Sequence, residues 1–104
     1  MKGMGNLGGL MKQAKRLQEE LERTQAEIAE MRISATSGGG MVKATVDGQG
    51  ALTDLRIERE VIDPEEAEML VDLVIAAVQE AQREARSETE KRLGPMAQGL
   101  GLQP

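Results

Sequence analysis

The chain has 104 residues and a net charge of −5, and it contains no Phe, Tyr, Trp, Cys or His. Its length predicts one domain, and the missing residue types exclude disulfides, thiol chemistry, thiolate metal sites and a histidine general base. Without aromatic side chains the core must be Leu, Val, Ile, Met and Ala, so self-association is a natural way to add buried area.

The first long segment, "NLGGLMKQAKRLQEELERTQAEIAEM", predicts a helix. Leu7, Leu10, Ala14, Leu17, Leu21, Thr24, Ile28 and Met31 alternate spacings of three and four, and Thr24 alone breaks the apolar set. Asn6 is the expected N-cap, with Gly8 and Gly9 weakening the first turn. The stripe is narrow, so the helix either packs on its own domain or also meets a partner protomer.

Three short strands follow. "RISATS" alternates Ile33 and Ala35 with Ser34 and Thr36. "MVKATVD" puts Val42, Ala44 and Val46 on one face. "ALTDLRIE" does the same with Leu55 and Ile57. "SGGG" and "DGQG" separate them and read as two hairpin turns. A phosphate-cradling loop needs a helix N-terminus directly after it, and each of these is followed by a strand. The expected sheet is a meander with one apolar face and open edges that a second copy can pair with or that must be blocked.

The last segment opens at Asp63, an N-cap residue, with Pro64 at the first helical position and Glu66 completing a capping-box pattern. Ala67, Leu70, Val71, Val74, Val78, Ala81 and Ala85 form one stripe, widened by Met69, Leu73 and Ile75. After Ala85 the segment is nearly all polar and is expected to project into solvent. Gly94 and Pro95 are expected to stop it. The organisation is therefore α+β, in the order α-β-β-β-α, with a domain over residues 1–93 and a mobile tail over 94–104.

No constellation supports catalysis. Ser34, Ser37 and Ser87 have no histidine to activate them. The adjacent carboxylates Glu19 with Glu20 and Glu65 with Glu66 do not face one another on a helix. Asp47 and Asp54 lack the spacing of a calcium loop, and the seven methionines read as gap-filling core residues. Neither a cofactor nor a metal is expected. No apolar run is long enough to cross a bilayer, and "MKGMGNLGGL" has no signal-peptide apolar region, so a soluble cytoplasmic protein is expected.

Charge is unevenly placed. Residues 1–16 carry Lys2, Lys12, Lys15 and Arg16 and no acid, while both long segments are otherwise acidic. Lys12, Lys15 and Arg16 share one side of the helix, near its positive end, where a cation is mildly unfavourable. An anionic partner is one explanation. The other is a solvated face, because Lys15 with Glu19 and Arg16 with Glu20 are spaced for i,i+4 pairs.

"GGLMKQAKRLQEELERTQAEIAEMRISATSGGGMVKATVDGQG" followed by "ALTDLRIEREVIDPEEAEMLVDLVIAAVQEAQREA" resembles the bacterial nucleoid-associated YbaB/EbfC family. The resemblance covers roughly residues 7 to 90. Its most specific parts are "LMKQAKRLQ", the triple glycine before "MVKATVDG", and "DPEEAEMLVDLVIAAVQEA". It implies a tweezer-like homodimer with helical arms on a central sheet, binding DNA with little sequence preference and helping to organise the nucleoid. Carried onto this chain, the DNA-binding residues would be Lys12, Gln13, Lys15, Arg16 and Arg23 on the first helix, with Arg83, Arg86, Lys91 and Arg92 on the second. Duplex rather than single-stranded DNA is expected, since no aromatic ring is available to stack on bases. The rival expectation is a protein-interaction module, docking a replication or repair protein through the acidic helix and the exposed heptad seam.

Overall fold

The computed structural model describes residues 6–99 of the chain. Helix α1 (Leu7–Glu30) is followed by strands β1 (Ile33–Ser37), β2 (Val42–Val46) and β3 (Leu52–Ile57), and then by helix α2 (Ala67–Gly99). The order is the expected α-β-β-β-α. The three strands form one antiparallel sheet with β2 at its centre.

Register follows the alternation of apolar residues except at Thr45/Val46, where an irregularity skips Thr53 and pairs Val46 with Leu52. On one face the rows are Ile33–Val46–Leu52, Ala35–Ala44–Leu55 and Ser37–Val42–Ile57. A slip of one residue would turn all of these toward water. The opposite face carries Ser34, Thr45, Lys43 and Arg56, with Ser34 and Thr45 hydroxyls sharing a 2.7 Å hydrogen bond. No helix among the described residues covers this polar face.

The two turns use glycine differently. Gly38, Gly39 and Gly40 all have positive φ, a region that costs other residues about 1–2 kcal/mol. In the second turn Gly50, with φ of 88°, takes the left-handed position. Asp47 organises that turn, its Oδ1 accepting from Gln49 N at 2.9 Å and Ala51 N at 3.0 Å. Gly48 is not left-handed, and its small size serves another purpose, described below.

Helix α2 lies across β1 and β2. Its buried residues Ala77, Ala81 and Ala85 meet Val42, Ala44 and Val46, all essentially inaccessible. Small side chains on the helix let it approach the sheet closely, so valines suffice to fill the space without aromatics. The stripe differs from the expected one in two respects. Ala77 belongs to it, while Ala67, Val71, Met69 and Ile75 are exposed. The helix begins at the sheet margin, and its inward row runs through Leu70, Val74, Ala77, Ala81 and Ala85, leaving the flanking positions uncovered. Ser37 sits at the end of the apolar face and satisfies its hydroxyl by donating to the Leu73 carbonyl at 2.6 Å.

Helix ends also depart from expectation. Asn6 makes no side-chain capping bond, because its φ of −93° and ψ of −6° are already helical rather than extended. Asp63 does cap, accepting from Glu65 N at 3.0 Å, and the first turn that it opens, Pro64–Glu66, is a 3-10 turn. Gly94 and Pro95 do not stop α2, which continues to Gly99 with Pro95 inside. Proline crowds the Cβ of the residue before it and removes one N–H. Here that preceding residue is Gly94, which has no Cβ, so that part of the crowding is absent, while the lost N–H bond and the ring's crowding of the carbonyl four residues earlier remain as costs. The end of the expected tail, residues 100–104, lies outside the described residues.

The molecule is elongated, 79 × 24 × 16 Å. In α1 Ile28 is the one buried residue, at 5% exposure, while Leu7, Leu10 and Met11 are more than half exposed. The heptad seam therefore does not pack on its own domain beyond the helix base. Helix α1 is an arm.

Candidate nucleic-acid interface

The arm presents two faces. Leu7, Leu10, Ala14, Leu17, Leu21 and Ile28 follow one side of the helix. Lys12, Arg16 and Arg23 lie on the other, spaced four and seven residues apart, with Lys15 beside them. All four cations and Gln13 are exposed. Lys2 lies outside the described residues. Because α1 begins at Leu7, Lys12 falls in its second turn, where the field of the helix dipole has largely decayed. The expected conflict between Lys12 and the dipole is therefore absent.

The expected pairs of Lys15 with Glu19 and Arg16 with Glu20 do not form. Among the described residues Lys12, Lys15, Arg16 and Arg23 take part in no ion pair. Their charges are free to meet an external anion without first breaking an internal contact.

The candidates on α2 differ. Arg83 is held by Glu80 one turn earlier. Lys91 stands 3.6 Å from Glu88. Arg92 reaches Glu27 on the arm at 3.7 Å. Such exposed pairs contribute about 0–1 kcal/mol each, so they are weak constraints, but they neutralise the field of these cations locally. Arg86 is exposed and lines a shallow cleft with Gly48, Gln49, Gly50, Gln82, Thr89 and Glu90. The structure does not bring the two sets of cations into one cluster. It separates a free basic arm from a body whose cations alternate with carboxylates.

Sequence reasoning passed over Arg32. It follows the arm directly and lines a groove of about 480 Å³ with Lys91, Arg92, Glu84 and Glu88. Its guanidinium donates to the Ala29 carbonyl at 3.3 Å and the Met31 carbonyl at 2.8 Å, closing the C-terminal end of α1. A cation right after a predicted helix end was the available signal.

The polar stretch after Ala85 is not simply solvated. Thr89 Oγ1 donates to the Gly48 carbonyl at 2.9 Å, and Gln82 Nε2 to the Gly50 carbonyl at 3.0 Å. These bonds tie α2 to the β2–β3 turn. No group of His, Cys, Asp or Glu among the described residues is arranged to hold a metal ion, and no helix among them is long and apolar enough to cross a membrane.

Known proteins share this architecture. A "Nucleoid-associated protein" of Streptomyces avermitilis is 46% identical over 99 residues, covering 95% of this chain and 88% of its own. A relative from Clostridium acetobutylicum, also named as nucleoid-associated, is 41% identical over 100 residues, covering 96% and 89%. The crystal structure of an uncharacterised Helicobacter pylori protein superposes with a TM-score of 0.71 at 23% identity, covering 88% of this chain and 94% of that one, and so shares the fold. The YbaB/EbfC DNA-binding family model matches residues 4–100, and the chain belongs to that family.

Proposed function

We propose that this protein binds duplex DNA as a homodimer, with little sequence preference, and helps to organise the nucleoid. The observation that carries this reading is the free basic face of α1, with Lys12, Gln13, Lys15, Arg16 and Arg23 on an arm that leaves the body. Family membership and the names of the relatives support DNA as the partner. A dimer doubles a net charge of −5, so binding has to rely on local positive charge. An arm that holds its cations away from the acidic body supplies it. Low specificity follows from contact with phosphates, which position a protein on the duplex but carry no sequence information directly. Arg83, Arg86, Lys91 and Arg92 act as a secondary set, because three of the four are already paired.

Apolar surface left uncovered supports the homodimer. Leu52 on the edge strand β3, and Val71 and Ile75 on the shoulder of α2, are 47–55% exposed. Both edges of a three-stranded sheet also offer unpaired backbone groups. Two joined bodies would carry two arms, which is the tweezer arrangement.

The test is duplex binding by gel shift at several salt concentrations, on protein whose dimer mass is established by light scattering. Affinity falling steeply with salt is expected, because counterion release requires real phosphate contacts. A clean dimer with no duplex affinity at low salt would transfer the function to a protein partner, docked through the exposed α1 seam and the acidic start of α2.

A further inference from the structure

Where the arm joins the body, Gly48 is buried against Ile28. Its N–H donates to the Ile28 carbonyl at 3.0 Å. Its own carbonyl accepts from Thr89 Oγ1 at 2.9 Å. One residue of the β2–β3 turn thus holds the last turn of α1 on one side and α2 on the other. The Ile28 carbonyl accepts twice, from Gly48 N–H and, closing the end of α1, from Met31 N–H at 3.1 Å.

A Cβ at position 48 would stand 2.1 Å from the Ile28 carbonyl oxygen, 2.8 Å from its carbonyl carbon and 2.5 Å from its Cγ2. Two of the three obstacles are backbone, so no change of rotamer relieves the clash. Gly48 has no left-handed φ to explain its presence. What the position requires is empty space. Among the described residues the ion pair between arm and body, Arg92 with Glu27 at 3.7 Å, joins two half-exposed side chains and is too compliant to impose an angle; the base of α1 also packs on α2 and continues through Met31 and Arg32 into β1.

The geometry points to Gly48 as the positioning residue of the DNA-binding arm: by lacking a Cβ it seats the Ile28 carbonyl on the β2–β3 turn and so sets the angle at which α1 leaves the sheet. The lever is long. From Ile28 to Leu7 the helix rises about 32 Å. Moving a Cβ from 2.1 Å to the 3.0 Å limit of real contacts takes a shift of about 1 Å at the arm base. With a fulcrum one helical turn away, the tip swings by about 6 Å. Phosphates of one strand recur about every 3.4 Å of duplex axis, so such a swing moves the basic face past the phosphates it would meet.

The chain has no cysteine, so Gln18→Cys on the arm and Gln79→Cys on α2 accept spin labels at defined places. Full-length labelled protein, diluted with unlabelled protein to suppress signals between protomers, gives the arm–body distance by pulsed electron resonance without DNA. Gly48→Ala is expected to shift that distance by several Å, and to make the slope of log affinity for a duplex against log salt shallower by about one for each phosphate that the arm no longer reaches. An unchanged distance overturns the positioning role. A shifted distance with unchanged affinity and slope overturns its part in DNA binding. If Gly48→Ala does not give a folded dimer, judged by circular dichroism and mass, Thr89→Val tests the same seat. There a broadened distance distribution supports it and an unchanged one overturns it. The effect on DNA presupposes the α1 contact surface proposed above. Absence of duplex binding by the unsubstituted protein is thus a failure of that surface, whereas the distance judges Gly48 alone.

Discussion

Replacing Lys12, Lys15 and Arg16 together by glutamine removes three cations that have no ion-pair partner among the described residues. Glutamine is close to lysine and arginine in helix propensity, so α1 should stay formed. The three side chains lie within residues 12–16, about 6 Å of helix rise. Phosphates recur about every 3.4 Å of duplex axis on one strand and about every 1.7 Å counting both, so each cation has a separate phosphate within reach. Each phosphate contact contributes about −0.9 to the slope of log affinity against log salt, so an engaged arm loses about 2.7 from that slope and a pair of arms about 5.4. Between about 50 and 200 mM salt, the unsubstituted protein should lose affinity more steeply than the variant by a further factor of ~40 for one arm and ~10³ for two. Fluorescence anisotropy with a labelled duplex measures both slopes, once circular dichroism and light scattering show the same fold and mass. Equal slopes for the two proteins would refute α1 as the phosphate-contacting surface, even if the absolute affinity fell.

Three further outcomes are expected. Val46 is fully buried at the centre of the sheet, so Val46→Ala loses about 1.6 kcal/mol of transfer free energy plus a cavity cost, about 2–3 kcal/mol in all; urea unfolding at fixed protein concentration reads it, and a loss under about 1 kcal/mol would contradict a close-packed core. Gly→Ala should have opposite signs at two positions with open space around them: a gain of about 0.5 kcal/mol at Gly9 in α1 and a loss of about 1 kcal/mol at Gly39, where φ is 68°. Val71→Asp with Ile75→Asp should shift the mass by light scattering from dimer to monomer while helix content at micromolar concentration is retained; a persistent dimer would place the interface elsewhere.

Much of the fold was legible because its signals are local. The alternation of Val42, Ala44 and Val46 against Lys43 and Thr45 specifies a strand with one buried face, and its partners on either side repeat it. Glycine runs mark the turns, and Asp63 with Pro64 marks the start of α2. The reading failed where a local rule met a particular neighbour. Proline at position 95 is ordinarily a stop, yet α2 runs through it, with a preceding glycine that spares the Cβ part of the crowding. Asn6 has the composition of a cap but not the backbone conformation. Val71 and Ala77 are equally apolar by pattern, and only the crossing of α2 over the sheet decides which of them is buried.

The candidate interface shows the same division. Its basic residues can be counted in the sequence, because charge is a property of residue type. Whether a charge is free is a property of distance. Lys15 and Arg16 have carboxylates at helical spacing and do not pair with them, while Arg83 pairs with Glu80 and Arg92 crosses to Glu27. The Asp-Gly dipeptide at 47 and 48 advertises a tight turn, and the turn is there, but the left-handed glycine is Gly50. The sequence by itself determined the element order, the apolar face of the strands and the concentration of positive charge at one end, since each depends on residue identity and periodicity along the chain. Tertiary structure alone decided that α1 stands away from the body with its cations unpaired, and that Gly48 is small because a carbonyl twenty residues earlier in the chain must pass within reach of it, a constraint set by distance in space that no local pattern encodes.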